Sequence, residues 1–159
     1  MKDGTPTFRR AARVLLLDDS YRLLLMRFSY RGRRWWCAPG GGLKDGETHE
    51  DAAKRETLEE TGFEVAELGP WVWSREHEFE FKGRLFRQLE RYFLARVPAF
   101  RPHPNDLESD EASVFRGLRW WTLRELGDTD EEFAPADLPE LVKELVEKGP
   151  PAIPVEVGA

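Results

Sequence analysis

The sequence predicts an α/β fold in which a mixed sheet lies between helices. Apolar or alternating runs typical of strands occur on both sides of one strongly polar helical segment in the first half of the chain. An amphipathic segment near the C-terminus predicts a second helix. Because an apolar sheet face must be covered by another element, helices on both faces of one sheet are the expected arrangement.

The first elements predicted are two strands that form a β-hairpin. Residues 12–17 and 21–28 are apolar runs, and residues 18–20, Asp-Asp-Ser, separate them with residue types that favour turns. A Trp pair at residues 35–36 and a Pro-Gly turn at residues 39–40 then lead into a glycine-rich loop.

The central helix is predicted over residues 49–62. Thr48 and Asp51 have the spacing of an N-terminal capping box, in which each side chain bonds the other residue's backbone amide. Gly62 suits the C-terminal end because glycine adopts a positive φ without strain. The sequence therefore indicates both ends of this helix.

One face of this helix collects three carboxylates. At roughly 100° per residue, Glu56, Glu59 and Glu60 share one face. Like charges at this spacing repel each other, and a divalent cation with oxygen ligands offsets the repulsion. The alternative is a solvated acidic face, which is the usual meaning of a charge run. Ala52 and Ala53 on the same side argue against it, because small residues let a neighbouring element approach closely.

The rest of the chain predicts further strands and a closing helix whose apolar residues share one face. With no repeat or second core visible, residues 1–159 are expected to form one domain with an ordered core of about residues 10–147. Strands are predicted at residues 63–68, 71–81, 85–97 and 117–122, a proline-rich loop at 98–104, an acidic loop at 106–116, a short helical turn at 123–126 and a helix at 138–147.

Composition excludes several classes of protein. The 159 residues are 40% hydrophobic and 34% charged, which is enough apolar material for one core. No apolar run approaches the ~20 residues of a membrane span, and the N-terminus lacks the apolar segment of a signal peptide, so we expect a cytoplasmic protein with no membrane partner. The single cysteine, Cys37, excludes an intramolecular disulfide, and three scattered histidines offer no zinc cluster. A net charge of −6 argues against an extended nucleic-acid surface.

The loop and the central helix together have a specific spacing. Gly41 is followed by five residues and Glu47, then by seven residues and the run Arg55-Glu56-Thr57-Leu58-Glu59-Glu60-Thr61-Gly62-Phe63. This pattern resembles the Nudix box, with one departure, since Thr57 stands where the pattern prefers Ile, Leu or Val. The resemblance extends from about Arg10 to Leu145 and implies an α/β/α sandwich.

The resemblance implies a metal-dependent hydrolase of nucleoside diphosphates linked to another group. In that family the box glutamates bind magnesium, so Glu56, Glu59 and Glu60 are the implied ligands of Mg²⁺, with Mn²⁺ as a substitute. Glu56 is also implied to orient or deprotonate the attacking water.

The other residues of the motif are expected to support this centre. By the same resemblance, Arg55 fixes a carboxylate through a charge-assisted contact, and Glu47 bridges the loop to the metal through water. Gly40 and Gly41 bring the backbone close to metal or phosphate because neither residue has a Cβ.

Four candidates lie outside the motif. Glu111, in the acidic loop, is either an additional base or ligand or an exposed charge. Glu90 either points into a cleft or forms a cross-strand ion pair with an arginine. Arg27 either contacts a phosphate or solvates the hairpin, and Phe79 is the candidate for stacking on a nucleobase.

The expected partner is a small nucleotide, and a homodimer is a further possibility. Members that resemble ADP-ribose hydrolases have a proline, and dinucleoside polyphosphate hydrolases a tyrosine, near residues 78–81, where this chain has neither. Dinucleoside polyphosphates or nucleoside triphosphates are therefore favoured over ADP-ribose or another nucleoside-diphosphate sugar. Two further alternatives are a non-catalytic nucleotide-binding regulatory module, which would have lost a motif carboxylate, and an isoprenoid-diphosphate isomerase that uses Cys37.

Overall fold

The computed structural model describes residues 4–158, which form one nine-stranded sheet and four helices. Within that range, each helix is too short or too polar to cross a lipid bilayer. The strands are β1 (Thr7–Leu17), β2 (Leu23–Tyr30), β3 (Arg33–Cys37), β4 (Gly40–Gly42), β5 (Trp71–Phe81), β6 (Arg84–Arg96), β7 (Phe115–Trp121), β8 (Phe133–Ala134) and β9 (Val155–Val157), and the helices are α1 (His49–Thr61), α2 (Ser109–Val114), α3 (Leu123–Asp128) and α4 (Leu138–Lys148).

The sheet is mixed, and β1 lies at its centre. The strand order is β8-β3-β2-β1-β6-β5-β9, with β4 paired to β1 and β7 paired to β2. β1 runs parallel to β6 along its whole length, from Thr7 opposite Phe86 to Leu17 opposite Arg96. β4 pairs with β1 in the antiparallel direction, which brings the glycine-rich loop against the middle of the central strand.

β1 and β2 form the turn of the predicted hairpin but not its ladder. The register between them in the described structure contains the single pair Leu17 and Leu23. Asp18 closes the turn by accepting hydrogen bonds from the amides of Ser20 at 3.0 Å and Arg22 at 2.8 Å. Beyond this turn, β1 pairs with β4 and β6, and β2 pairs with β3 and β7. The predicted antiparallel pairing is thus confirmed beside the turn, whereas the rest of each strand has other neighbours, which an apolar run does not specify.

Four other segments differ from the prediction. Residues 63–68 are not a strand, and their apolar side chains, including the buried Val65, pack in the core beside α1. Residues 106–116 contain the helix α2 and the start of β7 instead of an open loop. β8 and β9 were not predicted, because strands of two and three residues are too short to show a periodic pattern.

The two faces of the sheet have separate apolar cores, which confirms the α/β/α sandwich. Successive residues of β1 point to opposite faces, as strand geometry requires. Leu15 packs in the core formed with α3 and α4, where Val142 is fully buried. Val14 packs in the core formed with α1, where Ala52 and Ala53 are fully buried. These two alanines allow α1 to lie close to the sheet.

Candidate active site

Both ends of α1 are capped as the sequence predicts. The Thr48 side chain accepts a hydrogen bond from the Asp51 amide at 3.0 Å, and the Asp51 carboxylate accepts one from the Thr48 amide at 3.1 Å. Gly62 has φ 78° and donates its amide to the Leu58 carbonyl at 3.0 Å. The helix therefore begins and ends at defined residues, which fixes the direction in which its glutamates point.

Carboxylates from two helices meet at the centre of the site. One oxygen from each of Glu56, Glu60 and Glu111 lies within 4.8 Å of the other two, and a second set joins Glu56, Glu59 and Glu108. Glu111 lies on α2 rather than in the loop that the sequence predicts. The sequence analysis missed Glu108, although its position three residues before Glu111 in an acidic segment was a usable signal.

Glu60 is the most deeply buried of these carboxylates. The side chain has no solvent exposure, and its Oε1 accepts a hydrogen bond from the Gly40 amide at 2.7 Å. Its Oε2 is buried and has no hydrogen-bond partner among the described residues. Burial, followed by contact with Glu111, raises the pKa of Glu60 well above its ordinary value.

The carboxylate cluster is suited to a divalent metal ion. A buried carboxylate oxygen without a partner is destabilising, and nearby carboxylates add repulsion. Burial, followed by the charge of Glu111, also raises the pKa of Glu56, and Arg55 opposes this shift. An oxygen-preferring cation such as Mg²⁺ or Mn²⁺ removes both penalties, so Glu56, Glu60 and Glu111 fit the ligand set that such an ion takes.

Arg55 joins the loop to the carboxylate face of α1. Its guanidinium donates to Glu47 at 2.7 and 2.9 Å, to Glu56 at 2.8 Å, to Glu59 at 3.2 Å and to the Gly42 carbonyl at 3.0 Å. The hydrogen bonds from Arg55 lower the pKa of Glu47. The Glu47 carboxylate is thus hydrogen-bonded to Arg55 and is not one of the carboxylates grouped with Glu56 in the described structure.

The glycines of the loop permit contacts that any side chain would prevent. A Cβ on Gly41 would lie 2.7 Å from the Glu56 carboxyl carbon. A Cβ on Gly40, whose φ is 153°, would lie 2.1 Å from the Ala12 carbonyl oxygen. The backbone here is therefore pressed between β1 and the carboxylates, and its approach to a metal ion or phosphate stays a prediction.

Two predicted substrate contacts pack against aromatic side chains of the sheet. Phe79 on β5 stacks between the rings of His77 at 5.2 Å and Phe86 at 5.3 Å. Arg27 on β2 has its guanidinium carbon 5.6 Å from the centroid of the Trp36 ring.

Glu90 forms the cross-strand ion pair instead of pointing into a cleft. Its buried carboxylate bonds Arg13 at 2.7 Å and Arg75 at 3.0 Å. The charge of Arg13 is the largest favourable cause that holds the pKa of Glu90 well below its ordinary value, against the effect of burial. Of the two carboxylate candidates outside the motif, Glu90 and Glu111, only Glu111 lies in the cluster. Cys37 is buried, and burial raises its pKa to about 11, so the thiol is protonated at neutral pH.

Arg9 is a further candidate that the sequence analysis did not identify. Its guanidinium lies against the loop, since a Cβ on Gly42 would meet the Arg9 Nε at 2.4 Å. Desolvation, followed by the charge of Arg13, lowers the pKa of Arg9, whereas the charge of Glu56 raises it. A positive side chain beside the carboxylates is placed to contact an anionic substrate.

Comparison with known proteins agrees with this geometry. The NUDIX domain family matches residues 7–145. The chain belongs to the Nudix family. Putative mutator protein MutT4 of Mycobacterium tuberculosis is 30% identical over 141 residues, which cover 86% of this chain and 54% of that protein. RNA pyrophosphohydrolase of Aliivibrio fischeri is 33% identical over 100 residues, covering 56% of this chain and 58% of that protein.

Solved structures show the same Nudix fold. The crystal structure of the MutT protein from Methanosarcina mazei Go1 aligns with a TM-score of 0.67 at 20% identity, over 92% of this chain and all of that one. At that identity the likeness concerns the fold. This chain spans between half and three fifths of the length of the two relatives above, so their activities do not transfer directly.

Proposed function

We propose that this Nudix protein is a magnesium-dependent hydrolase of nucleoside polyphosphates, with nucleoside triphosphates or dinucleoside polyphosphates as its preferred substrates. The observation that supports it most is the buried Glu60 oxygen that lacks a partner and adjoins Glu56 and Glu111. A structural role does not account for three carboxylates at this separation, whereas a site for a hard divalent cation does.

Each residue of the site has a task in this reaction. Glu56, Glu60 and Glu111 would hold a magnesium ion, which would neutralise charge on the phosphate oxygens and lower the pKa of bound water. Glu56 would orient or deprotonate the attacking water, because its carboxylate belongs to both groups of carboxylates. The Gly40 amide keeps Glu60 in place, and Arg55 holds Glu56 and Glu59.

The substrate preference rests on charge and on the relatives. Arg9 adjoins the loop and the carboxylates, so it is placed to contact a substrate phosphate. The relative named RNA pyrophosphohydrolase supports a pyrophosphate bond at a nucleotide end as the bond that is cut. A nucleobase would then stack on an aromatic ring, for which Phe79, half-buried beside His77 and Phe86, is the candidate.

A substrate panel tests this proposal. With saturating Mg²⁺, kcat/KM is measured for nucleoside triphosphates, diadenosine tetraphosphate and ADP-ribose side by side. We expect one of the first two classes to exceed ADP-ribose. An advantage of more than about tenfold for ADP-ribose, or ~1.4 kcal/mol of transition-state stabilisation, would overturn the preference. Nucleotide binding without turnover of any member would favour the regulatory module instead.

The same panel includes variants of α1. Glu59→Gln removes one charge from the carboxylate face, so we expect turnover to fall by about two orders of magnitude or more while the fold is kept. Glu50→Gln is the matched control, because Glu50 is exposed in the first turn of the same helix. Equal activity of the two variants would exclude Glu59 from the site.

A further inference from the structure

Arg13 connects the interior of the sheet to the glycine loop. Its Nε donates to Glu90 Oε2 at 2.7 Å, and its Nη1 donates to the Ala38 carbonyl at 2.9 Å. The same Nη1 lies 3.5 Å from the Gly40 carbonyl. Arg13 is also the backbone partner of Gly40 in the β1–β4 pairing. One residue therefore fixes the chain on both sides of Pro39.

Glu90 is held by donors on every side. Besides Arg13, its carboxylate accepts hydrogen bonds from Arg75 at 3.0 Å, Gln88 at 2.9 Å and Tyr92 at 3.1 Å. Its side chain has no exposure to solvent. A saturated carboxylate in this position has no freedom to rotate, so it fixes the orientation of the Arg13 guanidinium.

Stability alone does not explain this network. Taking two charges out of water offsets most of their attraction, and apolar residues of similar size often serve a core equally well. The contacts of Arg13 nevertheless lead to the site, because the Gly40 amide donates to Glu60 at 2.7 Å. A continuous set of bonds thus runs from Glu90 through Arg13 and the Gly40 peptide to the most buried carboxylate of the cluster.

We propose that Arg13 and Glu90 are positioning residues for the metal site. Glu90 orients the Arg13 guanidinium, Arg13 fixes the backbone at Ala38 and Gly40, and the Gly40 amide then holds Glu60 in the direction that binds the ion. The inference rests on the proposed metal-dependent function. It adds that metal affinity depends on two residues that have no place in the glycine-glutamate motif.

The test compares two arginines that bond the same carboxylate. Arg13→Lys keeps a positive charge, but a single ammonium cannot reach both Glu90 and the Ala38 carbonyl in the geometry of a guanidinium. Arg75→Lys weakens the bond to Glu90 from the other side, where Arg75 is more buried than Arg13 and also bonds His77 and the Gly158 carbonyl. Mn²⁺ affinity of each full-length variant is measured by electron paramagnetic resonance of free Mn²⁺, alongside thermal unfolding.

We expect Arg13→Lys to weaken Mn²⁺ binding about tenfold or more, as changes that misplace a metal ligand do. At saturating metal it should lower kcat with a smaller change in KM, because Glu60 is displaced and the nucleotide contacts remain. Arg75→Lys should keep Mn²⁺ affinity within about twofold of the wild-type protein. This should hold even if its melting temperature falls by as much as that of Arg13→Lys.

Glu90→Gln keeps the size of the side chain and provides a second variant if Arg13→Lys does not fold. It should weaken Mn²⁺ binding in the same direction, because it no longer orients Arg13 by charge. Equal losses of Mn²⁺ affinity in the Arg13 and Arg75 variants, or no loss in Arg13→Lys and Glu90→Gln, would overturn the positioning role. Failure of the unchanged protein to hydrolyse any nucleotide would instead contradict the proposed function, whatever the variants show.

Discussion

At the scale of single residues, Thr57 is the one departure from the motif, and it is a buried one. The side chain has no solvent exposure, and its Oγ1 is buried without a hydrogen-bond partner among the described residues. Thr61, one turn later, is equally buried, but its hydroxyl donates to the Thr57 carbonyl at 2.7 Å and accepts from the Phe63 amide at 3.2 Å. Two similar threonines in one helix therefore have opposite hydrogen-bonding states.

This contrast predicts opposite effects of valine at the two positions. Thr57→Val removes a hydroxyl that has no partner, so we expect the free energy of unfolding to rise by about 1 kcal/mol. That corresponds to roughly 2–4 °C in melting temperature. Thr61→Val is the matched control and should lower stability, because it leaves the Phe63 amide without its acceptor. Urea unfolding of both variants provides the measurement, and a destabilised Thr57→Val protein would show that its hydroxyl is bonded after all.

At the scale of elements, the C-terminus of α1 is coupled to the segment that leads to α2. The Thr61 carbonyl accepts from the His103 amide at 3.0 Å, and the Glu59 carbonyl accepts from the amides of Asn105 and Asp106 at 2.8 and 2.9 Å. These bonds satisfy carbonyls that the helix itself leaves free. They also bring the chain that carries Glu108 and Glu111 next to the glutamates of α1, so the end of the helix helps to assemble the site.

Gly62 is the residue that makes this junction possible, and its replacement is predicted to disturb it. A Cβ on Gly62 would lie 2.9 Å from the His103 carbonyl oxygen, at a φ of 78° that side chains rarely adopt. We expect Gly62→Ala to lower the free energy of unfolding by about 1 kcal/mol or more and to weaken Mn²⁺ binding. Gly127→Ala in α3 is the control, since its Cβ would meet nothing within 4 Å and alanine favours the helix. Urea unfolding that ranks the two variants equally would refute the argument.

At the scale of the whole molecule, the site combines repelling charges in a chain that is already acidic, with a net charge of −6. Because the pKa values of Glu56 and Glu60 are raised, these carboxyl groups keep their protons in the metal-free protein at pH values above 4.5, the ordinary pKa of glutamate. A metal ion must displace these protons when it binds. Folding, protonation and metal binding are therefore linked in this protein.

The linkage predicts a pH dependence with a definite sign. When folding raises the pKa of a carboxyl group, that group stabilises the metal-free protein at pH values below 4.5, its pKa in the unfolded chain. This stabilisation is lost as the pH rises through the pKa of the group in the folded protein. Bound Mg²⁺ should stabilise increasingly over the same range, by about 2.7 kcal/mol once its concentration is ~100 times Kd. Melting temperatures measured at two pH values above 4.5, with and without Mg²⁺, should therefore differ more at the higher pH.

Glu60→Gln provides the control for that experiment. Glutamine at this position does not titrate and removes one carboxylate ligand, so the variant should show a smaller effect of Mg²⁺ and a flatter pH dependence without metal. A Mg²⁺ effect of the same size at both pH values in the unchanged protein would argue against a protonated carboxylate in the metal-free site.

The sequence alone was sufficient to predict those features of the fold whose physical cause lies in neighbouring residues. The limits of α1 follow from the Thr48 and Asp51 side chains and from the backbone freedom of Gly62, all within or next to the helix. The shared face of Glu56, Glu59 and Glu60 follows from the helical period alone. The sandwich with its mixed sheet followed from the order of strand-like and helical segments, because each apolar face requires a cover.

Pairing between distant segments was decided by the tertiary structure. Glu90 and Glu111 were open alternatives in the sequence, and the fold turns Glu90 inward to Arg13 and Arg75 while it brings Glu111 to Glu60. β1 pairs with β6 instead of forming a ladder with β2. Hydrophobic periodicity states which face of a strand is buried, but the neighbour of each strand depends on the packing of the entire chain, and no local pattern contains that information.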